Sequence, residues 1–448
     1  MLFSNNKKIK NIKSLPGFLE LNPADQMVFN DYKKKIAETY EKYGFIPLDN
    51  ATVERSEILF AKAGGDTEKE IYRIKKGDND LALRFDLTVP LARYVAANYN
   101  EITFPFRRYQ IEKVFRGERP QKGRFREFYQ CDIDIVGEGF LDLKNDAEVA
   151  SIIYSIFSKL NIGPFIIKIN NRKILTGFLE SLDLEKESED ILRIIDKLEK
   201  IGKEKVKTTL KDLKISDEKI SKIFDLINIG GSNKEILSKL SEQDMDNSKF
   251  EEGLYELKKV IDFLALFNIP SDYYKIDLQT VRGLDYYTGT VYETFSLDYP
   301  EFGSICSGGR YENLTESYTD KKLPGVGVSI GLTRLFSQLK SAGAIDSSVK
   351  SVADLLVIPI TENMEVPVRI ANDLRRQDIK TEIFLEDKPI KKKFNYADKK
   401  GYEYVLIIGD DEISKGEYTI KNMKNGEQKS VPEKEIVGLI KSLRYKKS

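Results

Sequence analysis

A cationic hairpin pattern is the feature of this chain whose residue types and spacing most clearly suit chemistry. Residues 115–137 read FRGERPQKGRFREFYQCDIDIVG, with four arginines and a lysine close together: Arg116, Arg119, Lys122, Arg124 and Arg126. A proline and a glycine interrupt the run, so it predicts a strand, a polar loop and a returning strand. Arginine in a loop suits phosphates, because its planar fork binds two oxygens at once. The alternating acids of CDIDIVG suit a cation or hydrogen-bond donor, so the region could hold a nucleotide and an amine.

An alternative interpretation is that these residues form a solvent-exposed hairpin whose charges pair in salt bridges and bind no ligand. A second segment argues against that alternative. Residues 281–293 read VRGLDYYTGTVYE, in which Arg282 and Asp285 stand beside a tyrosine pair. Tyrosine pairs are common in protein cores, but an arginine and an aspartate next to them would be costly to bury without partners. The segment therefore favours a polar pocket.

Together these segments closely resemble the histidyl-tRNA synthetases, a family of class II aminoacyl-tRNA synthetases. Residues 116–130 match class II motif 2, R-x-x-x-P-x-x-x-R-x-R-E-F-Y-Q, and residues 282–289 match the histidine-binding signature R-G-L-D-Y-Y-T-G. Residues 307–314, SGGRYENL, resemble the second histidine signature, and residues 324–336, PGVGVSIGLTRLF, resemble motif 3. The R-G-L-D-Y-Y block is specific to the family, whereas motifs 2 and 3 mark the class. The resemblance extends from about Gly17 to the C-terminus.

The elements that would position these residues fall into successive segments of the 448-residue chain, which is too long for one compact core. The resemblance implies α/β and α+β domains: an antiparallel-sheet catalytic domain with a helical insertion, and a C-terminal α/β anticodon-binding domain. The predicted boundaries are 1–170 for the first catalytic part, 171–267 for the insertion, 268–340 for the second catalytic part, 341–352 for a linker and 353–448 for the anticodon-binding domain.

Two patterns give the detail of this organisation. Residues 25–43 predict a helix, and residues 45–54 a strand that Pro47 confines to a sheet edge. This pair resembles motif 1, which lies at the dimer interface of class II enzymes, so a homodimer is implied. Residues 354–443 alternate as βαβαβ, which predicts a small parallel sheet with helices on its faces.

Because the chain has no net charge, any contact with RNA must depend on local basic clusters. Lys+Arg and Asp+Glu both number 72, so the net charge is zero and no global field attracts RNA. Six lysines between residues 388 and 400 form a local basic cluster. A solvated helix face would explain them equally well on charge alone, but beside the resemblance we expect contacts with the phosphates of tRNA(His).

The chain contains no histidine, so no imidazole of its own can act as a base, ligand or pH switch. It also lacks a P-loop, and class I synthetases require a histidine-containing signature that this chain cannot carry. Cys131 and Cys306 lie in predicted core strands without metal-ligand spacing, and so few cysteines favour a reducing cytosol. No apolar run has membrane-spanning length, and the Lys/Asn-rich start carries no signal core. We therefore expect a cytoplasmic protein.

The resemblance implies a nucleotide site for ATP, with Mg²⁺ as cofactor and no metal ligands assigned among the side chains. Arg116 and Arg282 would contact the α-phosphate from two sides, and Arg334 would lie near the γ-phosphate. Glu118 would accept from the adenine amino group, and Phe128 would stack on the ring. Because the substrate carboxylate is the nucleophile, the protein supplies positioning and charge neutralisation only.

The resemblance also implies a pocket for L-histidine and a contact region for the acceptor stem of tRNA. The histidine-binding residues would be Asp86, Thr88, Gln130, Asp134, Tyr286, Tyr287 and Tyr311. The first three would hold the α-ammonium, Asp134 and Tyr287 would face the ring nitrogens, and the other tyrosines would line the pocket. An alternative role for Asp86 is to cap a helix that begins near Leu87. The acceptor-stem contacts would be Arg119, Gln121 and Arg126.

Three other functions compete with this interpretation. A catalytically inactive regulatory subunit of histidine biosynthesis would resemble the catalytic domain, but such relatives lack the C-terminal domain and lose the motif arginines. Another class II synthetase, for glycine, threonine or proline, would not carry the R-G-L-D-Y-Y block. A nonenzymatic RNA-binding module would have no use for a complete nucleotide site. Exchange of pyrophosphate into ATP, driven by each amino acid in turn, separates all three.

Overall fold

The structure is a computed structural model that describes residues 12–61, 66–119, 123–243, 245–281, 286–348 and 350–445. The chain divides into two compact units, one within residues 1–20 and 31–345 and the other within residues 21–30 and 346–448. The finer boundaries predicted at residues 170, 267, 340 and 352 stay predictions.

An eight-stranded sheet and a small three-stranded sheet form the framework of the first unit. Its strands are β1 Ile46–Pro47, β2 Val53–Arg55, β3 Arg73–Lys76, β4 Asn79–Leu83, β5 Phe106–Phe115, β6 Glu127–Val136, β7 Phe165–Asn171, β8 Tyr274–Ile276, β9 Thr290–Ser296, β10 Ser304–Tyr311 and β11 Gly325–Gly331. The large sheet has the order β1-β5-β6-β11-β10-β9-β7-β8, and the small one has the order β2-β4-β3. All neighbours in the large sheet are antiparallel except the terminal pairs β1–β5 and β7–β8.

Helices alternate with these strands along the chain, and α1 begins in the residues assigned to the second unit. They are α1 Pro23–Lys42, α2 Ser56–Phe60, α3 Asp66–Glu70, α4 Thr88–Ala97, α5 Lys144–Leu160, α6 Arg172–Ser181, α7 Ser188–Ile195, α8 Leu198–Ile201, α9 Lys203–Asp212, α10 Asp217–Ile227, α11 Asn233–Ser241, α12 Ser248–Leu266 and α13 Leu332–Ser341. The predicted helix over residues 25–43 is α1. The predicted single strand over residues 45–54 is wrong in its extent, because the structure has two short strands there, β1 in the large sheet and β2 in the small one. Pro47 does lie in the edge strand β1, where its missing N–H leaves no inner ladder bond unmade.

The predicted helical segment consists of α6 to α12, with no strand between them in the part of the chain that the structure describes. Its local sequence explains where these helices start. Ser216 and Ser232 cap α10 and α11, and Asn247 accepts two backbone N–H groups at the start of α12. Gly177 lets α6 and α12 approach closely, because a Cβ there would lie 2.4 Å from the backbone nitrogen of Phe250.

The second unit contains a five-stranded sheet of order β13-β12-β14-β15-β16. Its elements are β12 Leu355–Pro359, α14 Glu365–Arg376, β13 Thr381–Ile383, α15 Ile390–Lys399, β14 Tyr404–Ile408, α16 Asp410–Lys415, β15 Glu417–Asn422, β16 Gln428–Pro432 and α17 Glu433–Tyr445. The parallel strands β13, β12 and β14 confirm the predicted βαβαβ pattern. The sequence analysis did not predict α16 or the antiparallel hairpin β15–β16, because β16 is largely exposed and polar. Across all described ranges, no helix is both long and apolar enough to cross a bilayer.

Candidate active site

The central strands of the large sheet form the floor of the site. Side chains alternate along a strand, so Gln130, Asp132 and Asp134 of β6 share one face. Across the ladder they pair with Gly331, Ser329 and Gly327 of β11. The acids of CDIDIVG therefore lie side by side on one buried surface, opposite the small residues of the motif 3 strand.

The glycines of β11 leave room for the site's side chains. A Cβ at Gly327 would lie 2.2 Å from Oδ1 of Asp134, and a Cβ at Gly325 would lie 2.4 Å from the ring of Tyr311. Neither neighbour is free to give way, since both are buried. The small residues of PGVGVSIG are thus required by the pocket that they face.

Asp134 is held from two directions. Nη2 of the fully buried Arg108 lies 2.8 Å from its Oδ2, and the Tyr311 hydroxyl donates to its Oδ1 at 3.0 Å. Arg108 also donates to the carbonyl of Leu87 at 3.0 Å, which joins β5 to the turn before α4. Burial raises the pKa of Asp134 to about 6, and Arg108 acts against that rise.

Asp86 lies in the turn before α4 and is buried. Its Oδ1 accepts the backbone N–H of Val89 at 3.1 Å, so Asp86 caps the helix as the alternative proposed. Its Oδ2 has no hydrogen-bond partner among the described atoms. Burial raises the pKa of Asp86 to about 6, while the Val89 bond and the charge of Arg116 lower it. Capping thus occupies one oxygen and leaves the other for a ligand.

Gln130 and Thr88 complete the polar side of the pocket. Nε2 of Gln130 donates to the Ser329 hydroxyl at 2.6 Å, while its Oε1 has no partner among the described residues. Thr88 begins α4, and its hydroxyl hydrogen-bonds with Tyr286. Both residues therefore bring an oxygen that can accept a hydrogen bond to the same side of the pocket as Asp86; their role toward an ammonium group stays a prediction.

Three tyrosines line the aromatic side of the pocket. The rings of Tyr286 and Tyr287 meet edge to face at 4.9 Å, and those of Tyr286 and Tyr311 at 6.1 Å. Burial raises the pKa of all three phenols, so they stay protonated near neutral pH. A small cavity remains between Tyr287, Tyr311, Thr88 and the floor strands.

Asp132 lines the same cavity, although the sequence analysis did not select it. It is 2% exposed, it hydrogen-bonds with Ser329, and its Oδ1 has no partner among the described atoms. Burial raises its pKa to about 7, against the opposing effect of Arg108. The available signal was the two-residue period of the strand, which places Asp132 between Gln130 and Asp134.

The hairpin β5–β6 presents the predicted nucleotide residues. Arg116 follows β5, donates from Nε to the carbonyl of Phe85 at 3.0 Å, and lies 5.3 Å from the centroid of the Phe128 ring. Glu118 lies further along the loop, 3.4 Å from the Arg124 guanidinium. Since Phe85 directly precedes Asp86, the guanidinium of Arg116 borders the buried pocket beside Asp86.

Arg334 lies in the first turns of α13, which motif 3 forms together with β11. The hydroxyl of Thr333 accepts the backbone N–H of Tyr129 at 2.8 Å, so α13 is joined to β6. Nη2 of Arg334 donates to the carbonyl of Phe302 at 2.5 Å. A Cβ at Gly123 would lie 4.0 Å from Nε of Arg334, so the hairpin loop passes beside this arginine.

The remaining predicted residues have different surroundings. Arg119 is exposed in the hairpin loop. Arg126 is half-buried against Gly17, and its Nε donates to the carbonyl of Glu118 at 3.0 Å. Gln121 and Arg282 lie outside the described residues. Arg108 was missed because its partner on β6 follows from strand register, which a single sequence does not display.

The antiparallel-rich sheet, the motif 2 hairpin and the separate α/β unit define a class II aminoacyl-tRNA synthetase with an anticodon-binding domain. A family model described as histidyl-tRNA synthetase matches residues 17–335, and one described as anticodon binding domain matches residues 354–443. The chain belongs to the histidyl-tRNA synthetase family. It is a ligase that activates L-histidine with ATP and transfers it to tRNA.

Individual relatives agree with this assignment. A histidine–tRNA ligase of Clostridium tetani is 56% identical over 96% of this chain and 98% of that protein. The crystal structure of a histidyl-tRNA synthetase from Nostoc is 40% identical, with a TM-score of 0.89 over 97% of this chain and 100% of that one. A Bacillus halodurans structure named as a phosphoribosyltransferase regulatory subunit or histidyl-tRNA synthetase is 18% identical, with a TM-score of 0.74 over 90% of this chain and 99% of that one. The last similarity shows a shared fold only, and the close relatives favour the ligase over the regulatory alternative.

Proposed function

We propose a division of labour within this site for the two steps of histidine–tRNA ligation. The observation that carries it is the junction at Phe85 and Asp86, where the carbonyl of Phe85 accepts from Arg116 and the next residue, Asp86, is itself a buried acid of the pocket. A cation suited to phosphate thus borders a pocket suited to an amino acid. The carboxylate of bound histidine would then face the α-phosphorus of ATP, as a near-attack geometry requires.

On the nucleotide side, Arg116 neutralises charge on the α-phosphate as the histidine carboxylate attacks and pyrophosphate leaves. Arg282 does so from the other side, and Arg334 holds the γ-phosphate. Phe128 stacks on adenine, and its contact with the Arg116 guanidinium supports that arrangement because it keeps both groups on one surface. Glu118 accepts from the adenine amino group.

On the amino-acid side, Asp86, Thr88 and Gln130 accept from the α-ammonium group, and Asp134 and Tyr287 face the ring nitrogens. Tyr286 and Tyr311 line the pocket. Asp86 and Gln130 each have an acceptor atom without a partner among the residues that the structure describes, which supports this proposal. A site that pairs both ring nitrogens discriminates against side chains that lack them, because its buried polar groups would then be left unsatisfied.

Mg²⁺ would be held by the phosphates of ATP, and no side chain of this protein is assigned as its ligand. Mg²⁺ keeps several waters and binds through substrate phosphates more readily than through an all-protein cage. The proposed phosphate-binding arginines are compatible with that arrangement, because they and the metal ion would both bind oxygens of the ATP phosphates. When bound, the ion screens the charge of the leaving pyrophosphate.

We further propose a cytoplasmic homodimer that binds tRNA(His) through both units. Edge strand β1 bonds to β5 on one side, and Ile46 within it is 54% exposed, so a second copy could cover this edge. Arg119, Gln121 and Arg126 are the proposed acceptor-stem contacts. Sedimentation at micromolar concentration tests the dimer, and Ile46→Lys should shift it toward monomer.

The residue roles are tested by replacing Arg116 with alanine. Losing one preorganised interaction with the transition state should lower the rate of histidine-dependent pyrophosphate exchange roughly 100-fold or more. Histidine binding, measured by calorimetry, should change little. Arg193→Ala is the control, since Arg193 lies on α7 and pairs with Glu189 and Asp190. Near-normal exchange in the Arg116 variant would remove that residue from the mechanism, and Arg282→Ala extends the test to the second arginine.

A further inference from the structure

A buried ion pair lies next to the aromatic side of the pocket, between residues to which the proposed function gives no role. Arg310 of β10 is 4% exposed, and Asp146 in the first turn of α5 is 0% exposed. Nε of Arg310 donates to the carboxylate oxygens of Asp146 at 3.1 and 3.2 Å, and its Nη2 donates to Oδ2 at 2.5 Å. Nη2 also donates to the carbonyl of Asp142 at 3.4 Å. The guanidinium is therefore fixed in direction as well as in place.

The strand that carries Arg310 also forms part of the pocket. Successive side chains of a strand lie on opposite faces of the sheet, so Gly309 and Tyr311 share the face opposite to Arg310. On that face the Tyr311 hydroxyl donates to Asp134 at 3.0 Å. A Cβ at Gly309 would lie 3.0 Å from Cδ1 of the Tyr287 ring. The ion pair thus holds the other face of a strand that contacts both tyrosines.

Arg310 contacts the turn that follows Tyr287 as well. The backbone carbonyl of Arg310 accepts the N–H of Thr288 at 2.8 Å. A Cβ at Gly289 would lie 3.0 Å from Cδ of Arg310, so the aliphatic part of this side chain covers the glycine. Because Asp146 holds the guanidinium end, the aliphatic part has a fixed place. The turn, and the Tyr287 ring just before it, are packed against that fixed side chain.

The energetics of a buried ion pair suggest that this one contributes position more than stability. Withdrawing two charges from water costs about as much as their attraction returns, and replacing both partners is often neutral or stabilising. The guanidinium fork does supply donors in fixed directions. The Tyr292 hydroxyl of β9 also donates to the carbonyl of Asp146, at 2.8 Å. The first turn of α5 therefore joins β9 to β10 at one point beside the pocket.

We propose that Arg310 is a positioning residue for the binding of histidine, and that Asp146 fixes its side chain. Arg310 touches no substrate. It acts through Tyr287 and Tyr311, because it holds the strand and the turn on which their rings depend. The proposal rests on the proposed function, in which Tyr287 faces the imidazole ring and Tyr311 lines the pocket.

The test compares Arg310→Met with the double variant Arg310→Met, Asp146→Asn in pyrophosphate exchange. Arg310→Met should lower the thermal midpoint, because a buried carboxylate is left unpaired, and the double variant should recover most of that loss. Both variants should raise the KM for histidine roughly 10- to 100-fold, since a small misplacement of binding groups has effects of that size. The KM for ATP should change little. A purely structural pair would instead recover the KM for histidine together with the thermal midpoint.

Two further variants show whether the fork and its location matter. Arg310→Lys keeps the charge but offers a single point of contact, so its KM for histidine should lie between those of the wild type and Arg310→Met. Arg107→Met is the control. Arg107 of β5 also binds α5, through Glu148 at 2.8 Å, and its other contacts are the carbonyl of Tyr43 and the ring of Phe45. It should leave the KM for histidine unchanged.

A double-mutant cycle tests whether the effect passes through Tyr287. Tyr287→Phe should raise the KM for histidine by a smaller factor in the double variant than in the wild type, because the phenol is already displaced there. Equal factors in both backgrounds, or a normal KM for histidine in the folded double variant, would overturn the proposal. Histidine-dependent exchange by the unmodified protein is measured first, and its absence would refute the proposed function instead.

Discussion

At the scale of single residues, the site contains buried carboxyl groups whose charged forms make folding less favourable. Asp86, Asp132 and Asp134 are each 2% exposed, and burial raises the pKa of each to about 6 or 7. One buried arginine, Arg108, lies among them. Like charges that are withdrawn from water oppose folding, and a ligand that brings N–H donors relieves part of that opposition.

The sign of this effect gives a prediction for the ligand-free protein. A carboxyl group whose folded-state pKa exceeds its unfolded value binds more protons in the folded state between the two values. The contribution of these acids to the free energy of unfolding should therefore fall as the pH rises from about 4 to about 7, which spans the ordinary and raised pKa of Asp132. Denaturant titrations at several pH values measure this slope.

Asp132→Asn should flatten that slope and stabilise the protein at pH 8. Each pKa unit corresponds to about 1.4 kcal/mol, so the gain should be on the order of 1 to 4 kcal/mol. Asp142→Asn is the control, because the Lys144 backbone N–H lowers the pKa of Asp142, which is not buried. A variant that unfolds with the same pH dependence as the wild type would contradict the account of the buried acids.

At the scale of elements, the two-residue period of β6 predicted which side chains share a face, and the strand did place Gln130 beside the acids. The same period contained Asp132, but nothing in a single sequence separated a pocket acid from a core-facing one. The role of Arg108 was harder still to predict from the sequence. Its contact with Asp134 depends on the register Arg108↔Asp134 between β5 and β6, which the loop between the strands leaves open.

Strand β11 offers a prediction about shape. Gly327→Ala would place a methyl group 2.2 Å from Oδ1 of Asp134, which must then move away from Tyr311. Such overpacking costs roughly 1–3 kcal/mol of stability. The KM for histidine should also rise at least 10-fold, which corresponds to binding that is weaker by about 1.4 kcal/mol. Exchange kinetics and thermal unfolding measure the two effects.

Gly331→Ala, on the same strand and face, is the matched control. The nearest atom to its added methyl group is Cβ of Arg334 at 3.9 Å, an ordinary contact. It should leave the KM for histidine unchanged. Equal KM values for the two variants would show that the close approach at Gly327 does not shape the pocket.

The second unit supports a prediction about tRNA. The lysines of α15 face solvent at Lys391 and Lys392, whereas Lys393 donates to the carbonyl of Pro359 at 2.7 Å. Replacing Lys391 and Lys392 with glutamine should weaken tRNA binding and make it less dependent on salt, by a slope of about 0.7–0.9 for each phosphate that a lysine no longer neutralises. Pyrophosphate exchange should be unaffected.

Lys415→Gln with Lys429→Gln is the control pair, since both lysines are exposed elsewhere in the same unit. It should leave the salt slope close to that of the wild type. If both pairs reduce the slope equally, the contribution of α15 is a general charge effect and the predicted phosphate contact is wrong.

At the scale of the whole molecule, the absence of histidine simplifies how activity depends on pH. Burial raises the pKa of both cysteines, which takes them out of the neutral range. What titrates between about pH 6 and 8 is then the substrate imidazole, the terminal amine and the buried acids. The enzyme that charges tRNA with histidine thus carries no imidazole that could mask the ionisation of its substrate.

The central claim, that one site joins a phosphate-binding hairpin to a pocket selective for histidine, is tested most directly by amino-acid-dependent pyrophosphate exchange. Each of the twenty standard amino acids is supplied in turn with ATP and Mg²⁺. The account predicts exchange with L-histidine and background rates with the other nineteen, because no other standard side chain presents two ring nitrogens to paired polar groups. Comparable exchange with glycine, threonine or proline, or no exchange with histidine by the folded protein, would contradict it.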